Sequence, residues 1–270
     1  MFEGWPLERQ FRFIAETGYD GVELAPFTVA KQVTDVPSER RRELAALARE
    51  AGVDILGLHW LLVGPEGLHI TDPDPAVRQR TTAYLEELMR FCADLGGRIL
   101  VFGSPGQRNL QPGVSREAAR EWLIEAFGKA LNVADEVGVT LCLEPLPPPE
   151  CTFIRTTAEA LDVIRTIDHP RLRLILDVKS MAGEQEMTGV PIPDIIRRVA
   201  PFVAHVQAND ANRGYPGSGE IDFVPIFRAL LDSGYDGYVS VEVFDFSPGP
   251  EAIAQRSIAY LRQSLATASA

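Results

Sequence analysis

The sequence predicts an α/β barrel of parallel strands, and three observations carry that prediction. Strand and helix candidates alternate from one end of the chain to the other. The strands are short apolar runs of the kind buried on both faces of a parallel sheet. Several of them end on a polar group, at Glu144 in VTLCLEP, Asp177 in LRLILDVKS, His205 and Gln207 in VAHVQAND, and Glu242 in YVSVEVF. Barrels of the TIM (β/α)8 type place their active sites at that carboxyl edge.

Taken in order, a helix at Pro6–Thr17 stops at Gly18 and a strand follows at Gly21–Ala25. Helix Ser38–Ala51 ends at Gly52 before strand Asp54–His59, and helix Pro75–Leu95 ends at Gly96 before strand Arg98–Gly103. A glycine just past the last helical residue takes the left-handed turn that releases the chain into the next strand. Ser115-Arg116-Glu117 opens helix Ser115–Val137 with a capping serine and an early acid. Gly138 closes it and strand Thr140–Glu144 follows. Thr157-Ala158-Glu159 starts helix Thr157–Ile167 in the same way, ahead of strand Leu172–Asp177. Helix Ile192–Val199 leads to strand Val203–Ala208, and helix Phe223–Ser233, ending at Gly234, to strand Tyr238–Val243. Helix Pro250–Leu265 closes the series.

This gives seven strands and eight helices, and the chain begins directly on a helix. A barrel lacking its first strand is the expectation, with Met1 standing for an internal methionine of a longer native chain. A doubly wound open sheet fits less well, because no GxGxxG turn follows the first strand. No Gly-, Pro- or Ser-rich linker divides residues 1–270, so one domain is expected.

The net charge of −12 gives a nucleic-acid partner no support, and Arg40-Arg41-Arg42 reads as a solvated helix face. The three cysteines, Cys92, Cys142 and Cys151, form no CxxC pair and read as reduced thiols of a cytoplasmic protein. No signal-peptide core or long apolar run appears, so neither export nor a membrane is expected.

With these residues in view, the sequence resembles the xylose isomerase-like TIM barrel superfamily, in its sugar phosphate isomerase/epimerase branch that includes the ketose 3-epimerases. The resemblance runs over nearly the whole chain, through GYDGVEL (Gly18–Leu24), LEPLPPPE (Leu143–Glu150), LDVKSM (Leu176–Met181), HVQANDANRGYPGSG (His205–Gly219) and GYDGYVSVEVF (Gly234–Phe244). It implies one divalent metal held by Glu144, Asp177, Glu242 and the residue at position 207. There the family's histidine is replaced by Gln207, while the preceding histidine of the HxH pair survives as His205. A substrate-binding histidine is replaced by Ser180; the family's arginine matches Arg213, and a glutamate of the strand-4 loop matches Glu150. The family's extra strand ahead of Met1–Thr17 agrees with the missing-strand reading.

An all-oxygen set of Glu144, Asp177, Gln207 and Glu242 suits Mg²⁺ or Mn²⁺ better than Zn²⁺ or Cu²⁺; Zn²⁺ or Co²⁺ stays open. Proton transfer beside a carbonyl needs a base and a Lewis acid for the enediolate oxygens. Glu144 and Glu242, on opposite sides of a barrel, are the expected proton-transfer pair. His59 at a strand end, His205 and Asn209 join Glu150, Arg213 and Ser180 as expected substrate contacts. The reaction expected is epimerisation or isomerisation of a small carbohydrate, with a homo-oligomer left open. An inosose dehydratase-like hydro-lyase and a non-catalytic sugar-binding barrel are the alternatives, while a trinuclear-zinc endonuclease would need more histidines than the four present.

Plain structural readings stand beside these. Glu144 could cap a strand, Asp177 could pair with Lys179, and His205 could be a hydrogen-bonded core histidine. Glu23 reads as a supporting residue of the site. Trp60 divides evenly between substrate wall and packing, and Trp5, Phe27 and Phe102 read as packing. His69 and His169 read as loop residues.

Overall fold

The computed structural model describes residues 1–270 and holds seven parallel strands in one sheet. The strands are β1 (Gly21–Leu24), β2 (Asp54–Leu58), β3 (Ile99–Phe102), β4 (Thr140–Leu143), β5 (Leu172–Asp177), β6 (Val203–Ala208) and β7 (Val239–Val241). The helices are α1 (Leu7–Thr17), α2 (Ser38–Ala51), α3 (Pro75–Asp94), α4 (Arg116–Val137), α5 (Thr157–Ile167), α6 (Val178–Thr188), α7 (Ile192–Val199), α8 (Phe223–Asp232) and α9 (Pro250–Ser269). Each strand pairs with its neighbours in sequence, and β7 does not return to β1, so this TIM-type barrel is nearly but not fully closed. Side chains span the seam instead. Gln207 on β6 donates to Glu23 on β1 at 3.1 Å, His59 beyond β2 meets Glu242 beyond β7 at 2.9 Å, and the Tyr238 hydroxyl reaches Asp54 at 3.4 Å.

The helix count corrects the sequence reading, which gave eight helices; the ninth is α6. Its sequence, VKSMAGEQEMT, has no apolar stripe at helical spacing, and it leaves β5 without an intervening loop. Asp177 ends the strand and caps the helix at once, its Oδ1 accepting from the Ser180 N–H at 2.8 Å. The buried face of α6 is polar as well, since Glu184 accepts from both the backbone and hydroxyl of Thr157.

Packing follows the strand period of two. Leu100, Leu141 and Leu174 point outward into a core of 57 buried residues beneath the helices. Their neighbours Val101, Cys142 and Ile175 form a separate small cluster inside the barrel. Burial of each large aliphatic side chain contributes roughly 1.5–3 kcal/mol. Gly57 is required where β2 meets β3, because a Cβ there would lie 1.9 Å from the Ile99 carbonyl oxygen. Phe102 packs edge-on against Phe127 at 5.0 Å, and Trp5 packs with Phe2 and Phe13. No helix is long and apolar enough to cross a membrane.

Candidate active site

Three carboxylates gather at the carboxyl edge of the sheet. Asp177 is the last residue of β5, and Glu144 and Glu242 lie one residue past β4 and β7. Their backbones stay in the ladder, since the Glu144 N–H donates to Phe102 O and the Glu242 N–H to Ala208 O. One oxygen from each of the three lies within 4.8 Å of the other two, and all three residues are buried. Like charges at that spacing repel by roughly 3 kcal/mol per pair at an effective dielectric of about 20. Burial therefore pushes Glu144 well above the usual carboxylate range, and the charges of Glu242 and Asp177 push it further. Asp177 rises to about 6, chiefly through burial, although Lys179 pulls the other way.

Each carboxylate is oriented by neighbours. Asp177 accepts from the Ser180 N–H through Oδ1 and from the Asn209 side-chain amide through Oδ2. Glu242 accepts on Oε1 from the Trp60 indole N–H at 2.8 Å and meets His59 Nδ1 there at 2.9 Å. Burial lowers the basicity of His59, but its bond to Glu242 and that group's charge outweigh burial and raise it. Glu144 lies over Gly103, where an added Cβ would come within 2.1 Å of Glu144 Oε2. A side chain there would force the Glu144 carboxylate to move.

Gln207 stands beside Asp177 in the β5–β6 register and is fully buried. Its amide nitrogen is taken by Glu23, while its Oε1 is buried with no hydrogen-bond partner. An unpaired buried acceptor costs about 1–3 kcal/mol. An orphaned carbonyl oxygen on the register partner of Asp177, together with three crowded carboxylates, fits a hard divalent cation, which prefers oxygen donors and relieves the repulsion. Glu144, Asp177, Glu242 and Gln207 are the side chains that could hold one.

A cavity of about 390 Å³ opens onto this cluster. Glu144, Glu242, Glu150 and Arg213 line it, with Trp60 and Phe244 as an aromatic wall stacked at 6.2 Å. The other expected substrate contacts sit elsewhere. His59 is turned onto Glu242, and both ends of the Asn209 amide are used, one on Asp177 and one on the Lys179 N–H. Ser180 is buried in the first turn of α6. His205 is inside the barrel, 3.2 Å from Glu23 and 3.2 Å from the Ser240 hydroxyl, which is the plain core reading of that histidine. Asp177 and Lys179 are not a direct pair; Lys179 bonds Glu150 instead, with its ammonium 4.4 Å over the Phe244 ring.

Sequence reasoning missed Trp60 as a hydrogen-bond donor to Glu242, the glycine under Glu144, and Arg108. Trp60 adopts φ +52, an uncommon conformation for a bulky residue that turns it onto the rim, and nothing local in the sequence marks that turn. Arg108 is fully buried, with Nε on the Cys151 sulfur and Nη1 on the Phe102 carbonyl.

The family model for the xylose isomerase-like TIM barrel matches residues 11–264. Among curated relatives, a D-psicose 3-epimerase of Ruminiclostridium cellulolyticum is 28% identical over 86% of this chain and 76% of its own length. A probable ketose 3-epimerase of Synechocystis is 26% identical over 96% of this chain and 91% of its own. Both relatives are isomerase-class enzymes by name. Among solved structures, D-psicose 3-epimerase with D-tagatose from Clostridium cellulolyticum superposes with a TM-score of 0.83, covering 97% of this chain and 94% of the other at 24% identity. That likeness is one of fold. The matched segment carries every strand and every carboxylate described above, and the chain belongs to the xylose isomerase-like TIM barrel family.

Proposed function

We propose that this protein is a divalent-metal-dependent epimerase that inverts the carbon next to the carbonyl of a ketose. The observation that carries the reading is the cluster of three buried carboxylates opening onto a sugar-sized cavity, with the orphaned Gln207 oxygen on the register partner of Asp177. The relatives' named activities agree with it. Glu144, Asp177, Glu242 and Gln207 Oε1 would hold the cation. Once bound, it supplies Lewis acidity for adjacent substrate oxygens and charge neutralisation for the carboxylates.

The chain's own groups do the rest. Glu144 and Glu242 come from β4 and β7, so they approach a substrate from two sides of the edge. One removes the proton and the other returns it to the opposite face. Glu242 is held on Oε1 by Trp60 and His59, which leaves Oε2 for the transfer. Arg213 and Glu150, the latter held by Lys179, border the cavity and orient hydroxyl groups. Trp60 and Phe244 shield one side from water.

Incubation with D-psicose or L-ribulose in deuterated water with Mn²⁺ tests this by proton NMR. The C3 proton exchanges with wild type, and Glu242→Gln slows exchange by at least about 100-fold while circular dichroism stays unchanged. Unchanged exchange in that variant would remove Glu242 from the proton transfer. Retention of no divalent ion at millimolar concentration would remove the mechanism.

A further inference from the structure

Glu144 and Glu242, the proposed proton-transfer pair, are held in different ways. Two N–H donors converge on Glu242 Oε1, the Trp60 indole at 2.8 Å and His59 Nδ1 at 2.9 Å. An ionised carboxylate only accepts, so Nδ1 is the protonated nitrogen of that ring. With two donors on it, Oε1 fixes the rotation of the whole group. Glu144 rests over Gly103 and is attracted by the charges of Arg108 and Lys179, with no directed bond on its carboxylate. Trp60 makes its bond from a strained turn. It stands two residues past β2 at φ +52, where a bulky side chain is rare. The buried Leu61 and Leu62 that follow, and the His59 N–H bonded to the Leu24 carbonyl, anchor the turn from both sides. The ring is stacked on Phe244 at 6.2 Å and lies 6.1 Å from Phe27. A tryptophan 36% exposed can give its indole N–H to water, and packing alone is served equally by phenylalanine. Here the N–H is committed to one oxygen of a buried carboxylate.

We propose that Trp60, with His59, is a positioning residue that aims Glu242 Oε2 at the substrate carbon, and that it makes the two proton transfers unequal. This deepens the epimerase reading and rests on it. For one C3 epimer, the C3–H bond breaks as its proton passes to Glu242 Oε2. The electron pair left behind forms the C2–C3 double bond, and the carbonyl π pair moves onto the C2 oxygen as an enediolate. Glu144 then gives a proton to the opposite face of C3 while the carbonyl reforms. Glu242 loses its proton to water and Glu144 regains one, which resets the pair. The other epimer runs the same steps in reverse, with Glu144 as base and Glu242 as donor. Every transfer through Glu242 uses the aim set by Trp60, and every transfer through Glu144 proceeds without it.

The test uses the Mn²⁺-loaded protein in deuterated water with D-psicose and with its C3 epimer, D-fructose. For each, proton NMR gives the ratio of C3 exchange in the starting ketose to conversion into its epimer. Trp60→Phe keeps the aromatic wall and removes the donor, so kcat falls about tenfold while KM stays within about twofold. Slower transfer through Glu242 shifts the two ratios in opposite directions. The ratio rises at least about threefold for the ketose that starts on Glu144 and falls for the one that starts on Glu242. His59→Leu moves both ratios as Trp60→Phe does, while His59→Asn, whose amide N–H can replace Nδ1, leaves them near wild type. By calorimetric titration of the metal-free proteins, Trp60→Phe binds Mn²⁺ within about threefold of the wild-type dissociation constant. Equal loss of exchange and conversion, with both ratios unchanged, would reduce Trp60 to packing and leave the epimerase reading intact. A loss of Mn²⁺ affinity as large as the loss of kcat would move the effect of Trp60 to the cation and overturn the proposal. Absence of conversion by wild type would remove the epimerase reading and the role of Trp60 with it. If Trp60→Phe does not fold, the two His59 variants still decide.

Discussion

Glu23 and Glu144 are both buried glutamates of the same barrel, one on β1 and one past β4, yet their protons are held in opposite ways. Burial alone would raise both. At Glu23 the neighbouring His205, the His59 charge and the Gln207 amide outweigh burial and bring the carboxyl down to about 2. At Glu144 the nearest charges are Glu242 and Asp177, so repulsion adds to burial. Each group has complementary neighbours, but only at Glu23 do they outweigh burial, although Glu23 Oε1 itself keeps no hydrogen-bond partner. At Glu144 repulsion adds to burial, and a cation could relieve it, which is why that group reads as a candidate site and Glu23 as structure.

The largest expected effect breaks the Glu23 group. Glu23→Gln removes the charge facing His205 and should cost roughly 3–5 kcal/mol, read as a lower urea midpoint at constant m-value. A change of under 1 kcal/mol would mean that the contact between Glu23 and His205 contributes little to stability. The next effect adds the proposed cation to the Glu144 group. Mn²⁺ or Mg²⁺ at a hundredfold excess over its dissociation constant should stabilise wild type by about 2.7 kcal/mol. The melting temperature after chelation and after metal addition measures this. Glu144→Gln should abolish most of the shift, and an undiminished shift in that variant would place the cation elsewhere.

Much of this contrast was legible in the sequence, and its limits have physical causes. Seven strands and the polar residues at their ends follow from short continuous apolar runs interrupted by Glu144, Asp177, Gln207 and Glu242, a pattern that depends on local burial. The α6 helix was illegible because its start is fixed by the Asp177 side chain and its buried face is polar. His59 and Asn209 were recognised as polar residues near the edge, but their roles depend on partners 183 and 32 residues away. Glu23 read as a supporting residue of the site, yet its link to His205 across 182 positions depends on how far the barrel closes. Arg108 had no local signal at all, since its burial depends on Cys151, 43 residues away, and on the Phe102 carbonyl.

The smallest expected effect separates the two groups by pH in the metal-free protein. Glu23 titrates near 2 when folded, below its unfolded value of 4.5, so its contribution is present above about 4.5 and is lost as pH falls toward 2. Asp177 titrates near 6 when folded, above its unfolded value of 3.8, so the folded state binds the extra proton. Its contribution is therefore favourable in acid and disappears as pH rises from about 4 to about 6, with Glu144 acting in the same direction. His59, raised above 6.5, continues that loss at higher pH as it deprotonates. Metal-free protein should then be most stable near pH 4–5 as far as these groups decide it, because one acid group favours higher pH and the other lower. A bound cation holds Glu144 and Asp177 ionised in the native state, so the fall above pH 4 should vanish or reverse once metal is added. Melting temperatures between pH 3 and 8, with chelator and with Mn²⁺, measure both limbs. Parallel curves in the two conditions would show that the three carboxylates do not share the cation.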